Sequence, residues 1–142
     1  MKVIRDSIQA RYDAAFGESG TVEEFMTQFD NALFTPPDVT VDPLASTWVR
    51  FTVLFGQATQ AEISPAKRRH RHLGNIMVQI FTPIDLGDKR AYEMGDKIIE
   101  HFRGVTVAGV TYNSPYYTSV GLDGPWWRVA LTCPFFADVI PS

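Results

Sequence analysis

The chain is short of cysteine, histidine and long apolar runs, and each shortage removes a class of function. A single cysteine, Cys133, in 142 residues excludes an internal disulfide and a cysteine-rich zinc site. Its neighbours Leu131 and Phe135 mark it as a buried strand thiol, and one free thiol fits a reducing cytosol. Three histidines offer little to a metal. His70 and His72 point the same way on an extended chain, with only His101, near a helix end, or Asp85 to join them, so no metal site is expected. No G-x-S-x-G, H-E-x-x-H or P-loop pattern occurs. Ser114, Thr118 and Ser119 lack an adjacent base and read as turn residues, and Glu23-Glu24 reads as helix-start charge. Neither catalysis nor a cofactor is expected. No stretch approaches the roughly 18 apolar residues of a membrane span, and the opening Met1-Lys2-Val3-Ile4-Arg5-Asp6 runs into charge rather than a signal-peptide core. A strong charge of one sign is also missing. The formal charge of −3 and pI near 5.5 argue against general polyanion binding, whose affinity grows with basic surface.

What is present is the make-up of one soluble domain, residues 1–142, with 45% hydrophobic and 20% charged residues. Its clearest element lies in 69–83, RHRHLGNIMVQIFTP, a basic loop that turns into a strand from Leu73 onward. Ile76, Val78 and Ile80 alternate with Asn75, Met77, Gln79 and Phe81, the period of two that a sheet interior requires. Pro83 cannot donate to a ladder and ends the pairing. Residues 48–55 repeat the pattern, with Val49, Phe51, Val53 and Phe55 on one face and Trp48, Arg50, Thr52 and Leu54 on the other.

Two amphipathic helices are predicted. In 3–16, Ile4, Ile8, Tyr12, Ala15 and Phe16 form one stripe. In 88–103, Ala91, Met94, Gly95, Ile98, Ile99 and Phe102 do so, Asp88 supplies a cap and Gly104 a stop. Gly95 sits inside the apolar stripe, where it costs about 1 kcal/mol against alanine, and so marks a close helix–sheet approach. Thr21 and Glu24 have capping-box spacing and predict a short helix with Phe25, Phe29 and Leu33 inward. Residues 105–112 and 126–135 supply two further strands, the second with Trp127, Val129, Leu131 and Cys133 toward the core. The expected fold is therefore α+β, a mixed and mainly antiparallel sheet of four to five strands with two helices on one face, in the order α-β-β-α-β-β.

Two connections stand out. Residues 56–72 form a long polar link, expected to be mobile, that ends in Lys67, Arg68, Arg69, His70, Arg71 and His72, most of the local positive charge of an acidic chain. Residues 113–125 form a second expected contact loop, rich in aromatic and turn residues. The sheet face away from the helices mixes Arg50, Thr52, Asn75, Gln79 and Arg128 with Trp48, Leu54, Met77 and Phe81, a character suited to a subunit contact. Trp126 alternates with Trp127 and is either a contact aromatic or covered by Tyr116-Tyr117.

The Trp48-Val49-Arg50 strand opening, the run 71–83, the glycine turn at Gly87 and the helix carrying Ala91 to Phe102 resemble the tail terminator, or tail completion, proteins of long-tailed bacteriophages. The likeness covers roughly 48–102, and the first helix fits it. The insert around 21–33 and the basic density at 67–72 depart from the family pattern. The resemblance implies a structural virion protein at the head-proximal end of the tail, assembled in the host cytoplasm. Such a protein forms a homohexameric ring on the tail tube, ends tube polymerisation and presents a surface to a head-completion or connector protein. DNA would pass through the ring without specific binding, and no membrane is involved. The residues expected to meet the tube or a neighbouring subunit are Lys67, Arg68, Arg69, Arg71, Arg50, Arg128 and Trp126. Competing readings are a solvated basic loop, another phage neck or tail-assembly adaptor, and a small nucleic-acid-binding module using 67–72.

Overall fold

A computed structural model describes residues 2–17, 20–23, 25–30, 47–60, 70–83, 89–107 and 109–139, with backbone alone at 57–60, 70 and 139. Helix α1 spans Lys2–Phe16, followed by β1 (Thr27–Phe29), β2 (Trp48–Gln60), β3 (His70–Pro83), α2 (Lys89–Phe102), β4 (Thr106–Val107), β5 (Val110–Tyr112), β6 (Tyr116–Asp123) and β7 (Trp126–Val139). The strands make one seven-stranded sheet in the order β1-β2-β3-β7-β5-β4, with β6 also on β7. Every pairing is antiparallel except β1 with β2. The class is the α+β one read from the sequence, with more strands than the expected four to five.

The centre is the β2-β3-β7 triplet. Val49, Phe51, Ile76, Val78, Ile80, Val129, Leu131, Cys133 and Phe135 are buried on its helix side, the alternate residues of three strands in register. Both helices lay their stripes here, with Ile4, Ile8, Tyr12, Ala15 and Phe16 of α1 buried and Ala91, Met94, Gly95, Ile98, Ile99 and Phe102 of α2. Tyr12 stands 4.5 Å from the Phe51 ring, and its hydroxyl lies 2.8 Å from Thr27 Oγ1. Burial raises its pKa, so it stays a neutral phenol. Gly104, at φ +59°, closes α2 in the left-handed conformation that glycine adopts without a Cβ clash.

Four features differ from expectation. Thr21 starts no helix, because its amide and its hydroxyl both go to Ala14 O at the end of α1. The chain then follows α1 back, Phe25 N donating to Phe16 O at 2.8 Å, and Thr27–Phe29 enters the sheet beside Val49–Phe51. Residues 105–112 are not one strand but a hairpin turned at Gly109, φ +80°. The link 56–72 is shorter than expected, since β2 continues to Gln60 and β3 begins at His70. A bulge between Phe55 and Ala58 absorbs the change of register there. The expected contact loop 113–125 is mostly strand β6, because Tyr116 through Asp123 pair along Trp126 to Thr132.

Candidate functional site

The helices cover one face of the sheet, and the functional candidate is the other. Register places Trp48, Arg50, Thr52 and Leu54 of β2 opposite Phe81, Gln79, Met77 and Asn75 of β3. These in turn stand opposite Arg128, Ala130, Thr132 and Pro134 of β7. Directly paired residues share a face, so one surface runs across all three long strands.

Its two ends differ. At the β2 start, Trp48 stacks on Phe81 at 4.2 Å and 11°, and Trp126 meets Trp48 edge-on at 5.8 Å. The three form a small buried cluster separate from the main core. Trp126 is 8% exposed, and its ring contact among the described residues is with Trp48. Tyr116 and Tyr117 diverge, Tyr116 being exposed while Tyr117 donates to Asp96 Oδ1 of α2 at 2.7 Å. Arg50 extends the cluster outward, its guanidinium 5.6 Å from the Trp48 ring centre and 5.2 Å from that of Phe81. Its nitrogens donate to two neutral acceptors, Gln28 Oε1 at 3.1 Å and Gln79 Oε1 at 3.3 Å. Arg128 stands across from Phe81 on β7, and its Nε is buried without a hydrogen-bond partner among the described residues.

Toward the other end the face opens. Leu54 is 47% exposed and Leu73 42%. With Gly74, Asn75, Pro134 and Phe136 they border a cleft of about 360 Å³ that also reaches Phe55, Asn113 and Phe135. Arg71, at the margin, is engaged within the chain. It grips Asp138 with two parallel bonds, Nε to Oδ1 at 2.9 Å and Nη2 to Oδ2 at 3.2 Å, and lies 4.4 Å over the Phe136 ring. That fork raises the Arg71 pKa. Lys67, Arg68 and Arg69 lie outside the described residues. Of the seven residues singled out from sequence, Arg50, Arg128 and Trp126 therefore gather around Phe81, while Arg71 sits near the opposite end of β3.

Sequence reasoning missed three contributors. Glu23 makes ion pairs with Arg90 and Lys97 of α2, which hold its carboxyl below the ordinary carboxylate value, Arg90 first. Arg11 and His101 bind reciprocally across the helices, Nη2 donating to His101 O at 2.5 Å and His101 Nε2 donating to Arg11 O at 3.0 Å. Burial holds His101 below the usual histidine value. Gln28 reaches the open face only because β1 joins the sheet, which no periodicity in 21–33 announces. The perturbed groups serve packing: burial pushes the Cys133 thiol up to about 12, far from the poise of a nucleophile.

Comparison with known proteins gives three findings. A solved structure, 16% identical, superposes over 97% of this chain and 98% of its own at TM-score 0.64, which is a likeness of fold. No curated protein sequence matches the chain. The sequence pattern of the phage tail terminator protein family matches residues 4–135, which takes in both helices and nearly all of the sheet, and the chain accordingly belongs to that family of structural phage tail proteins.

Proposed function

We propose that this protein forms a ring, a homohexamer, on the head-proximal end of the tail tube, where it ends tube polymerisation and gives the head-completion or connector protein its surface. Family membership supplies the tail role and a place in the virion. The observation that carries the finer reading is the open sheet face. A seven-stranded sheet with helices on one side leaves Leu54, Leu73, Asn75 and Thr132 facing away from the core, a surface too apolar to gain from water and too polar for a core. The cation of Arg50 and the half-buried guanidinium of Arg128 suit carboxylates of a neighbouring chain or of the tube rim. Lys67, Arg68 and Arg69 are proposed to dock on the same acidic partners.

The test is electron microscopy of the purified protein mixed with tail tubes. Rings on one tube end, and tubes that no longer lengthen when tube protein is added, are the expected outcome. Arg68→Glu combined with Arg69→Glu weakens capping, more so at low salt than at high, since screening already removes much of the attraction above about 0.15 M. Undiminished capping by that variant would remove the basic segment from the contact. A protein that neither self-associates nor caps tubes removes the ring.

A further inference from the structure

The open face is not the only unfinished surface, because the sheet also has two unguarded flanks. On one, β6 pairs with β7 alone, leaving its outer row of N–H and C=O groups without a described partner. Most of its residues are exposed, with Leu122 at 66%. On the other flank, β1 covers β2 only along Val49–Phe51, and Asp30 takes the Val53 amide at 3.3 Å. Beyond that point β2 runs on through 54–60 with no described neighbour on that side. Such rows template the pairing of another chain, and free-standing proteins guard them with lysine, proline or an inward charge. Among the described residues neither flank shows such a guard. The segment 54–60, LFGQATQ, holds no charge and no proline, and β6, YYTSVGLD, holds only Asp123 at its end. Each strand carries one bulge, which bends an edge without charging it.

The two flanks lie on opposite sides of one sheet, so a single chain offers both halves of a strand-to-strand contact. Pairing β6 with β6, or β2 with β2, would cover one flank and leave the other bare. Pairing unlike flanks covers both with one contact, and an unlike, head-to-tail contact is the kind that generates rings. The lengths agree, eight residues in β6 against the run 54–60. With one charge between the two segments, no register sets like charges against each other. We propose that the sheet continues from copy to copy, the outer edge of β6 in one chain pairing along 54–60 of β2 in the next. This contact rests on the ring reading above and specifies the surfaces that close it.

Amide hydrogen exchange compares the free chain with rings seen by microscopy. Peptides covering 116–123 and 54–60 are expected to exchange about tenfold or more slowly in the ring. In a second arm, Ser119→Cys chains are mixed with chains carrying Gln57→Cys, Ala58→Cys or Thr59→Cys and oxidised. The mixture yields a covalent dimer and each variant alone does not, the buried Cys133 adding no background. A third arm guards the edge with Val120→Lys and Leu122→Lys. Both sites are exposed, so melting is unchanged while ring formation is lost. Rings whose 116–123 amides exchange as fast as in the free chain, rings that survive the two lysines, or disulfides of Ser119→Cys with itself or with an equivalent tube-protein cysteine would each overturn the contact and leave the ring standing. Absence of rings under every condition removes both.

Discussion

Gly74 is the position where the sheet has least room, and Gly74→Ala tests the packing argument most directly. The residue stands between Phe55 on β2 and Phe135 on β7, whose rings meet edge-to-face at 5.8 Å over the space a side chain would fill. A Cβ built there lies 2.4 Å from the Leu54 carbonyl oxygen and 2.5 Å from the Phe135 ring, against a comfortable non-bonded separation of about 3.5–4.0 Å. The ring is buried and the oxygen is backbone, so neither yields by a simple rotamer change. Overpacking of this kind costs about 1–3 kcal/mol, and the backbone clash puts Gly74→Ala toward the upper part of that range. For a chain of this size the loss corresponds to a drop in Tm of about 5–10 °C. Gly121→Ala is the control: it too lies in a strand, but its Cβ meets nothing within 4 Å, so it is neutral or gains up to about 1 kcal/mol from the unfolded chain's lost freedom. Urea unfolding of both variants, with unchanged slope, separates them. Equal stabilities for the two, or a Gly74→Ala protein as stable as the parent, would refute the reasoning.

Glu23 makes stability depend on acid. Its folded pKa lies below the ordinary 4.5 because Arg90 and then Lys97 bind the carboxylate, so its contribution is complete above 4.5 and fades as pH falls through the lower folded value. Glu23→Gln is expected to lose about 1 kcal/mol at pH 7 and to show a shallower acid limb between pH 5 and 3 in urea midpoints, and parallel limbs would contradict the assignment. Cys133, its thiol pushed up to about 12 by burial, should react with iodoacetamide at pH 8 only through opening of the β3–β7 pairing. Mass spectrometry would then find labelling slow in buffer and fast in urea, and rapid labelling of folded protein would contradict its placement.

The strong signals in the sequence were periodic ones, and periodicity marks whatever is buried on one side. Helices α1 and α2 and strands β2, β3 and β7 all bury one face against the same core, so each is legible in the sequence, although β2 runs on past Phe55 to Gln60 and β7 past Phe135 to Val139. The insert 21–33 misled because Thr21 and Glu24 satisfy the local capping pattern, while the carbonyls of Ala14 and Phe16 claim the Thr21 and Phe25 amides first. That is tertiary competition, which no window of residues reports. Strand β6 was hidden for the opposite reason. An edge strand exposed on most of its length has no alternation to show, and Tyr116-Tyr117 with Gly121 looked like turn chemistry. Gly95 was legible as a close approach, but its neighbour was not. A Cβ there would lie 2.6 Å from the hydroxyl of Tyr117, a residue of β6, whose sequence has the turn chemistry of a loop. Among the candidate site residues, Arg50 and Arg128 fell on the expected face, whereas the pairing of Arg71 with Asp138 required a strand extending past Phe135 to Val139.

That difference among the arginines bears on how the open face would bind. Arg71 already spends its guanidinium on Asp138 in a bidentate fork, so a partner's carboxylate must compete with an internal one and gains little. Arg50 is held in place by two aromatic rings and two glutamines, and no carboxylate among the described residues neutralises it. Its rotamer entropy, a cost of about 2 kcal/mol for a free arginine, is already spent on folding, so contact with an acidic group need not repay it. A cation sits where Trp48, Phe81 and Trp126 pack together, and an open cleft sits where Leu54 and Leu73 are exposed. Such a face can align a partner by charge at one end and bury apolar surface at the other.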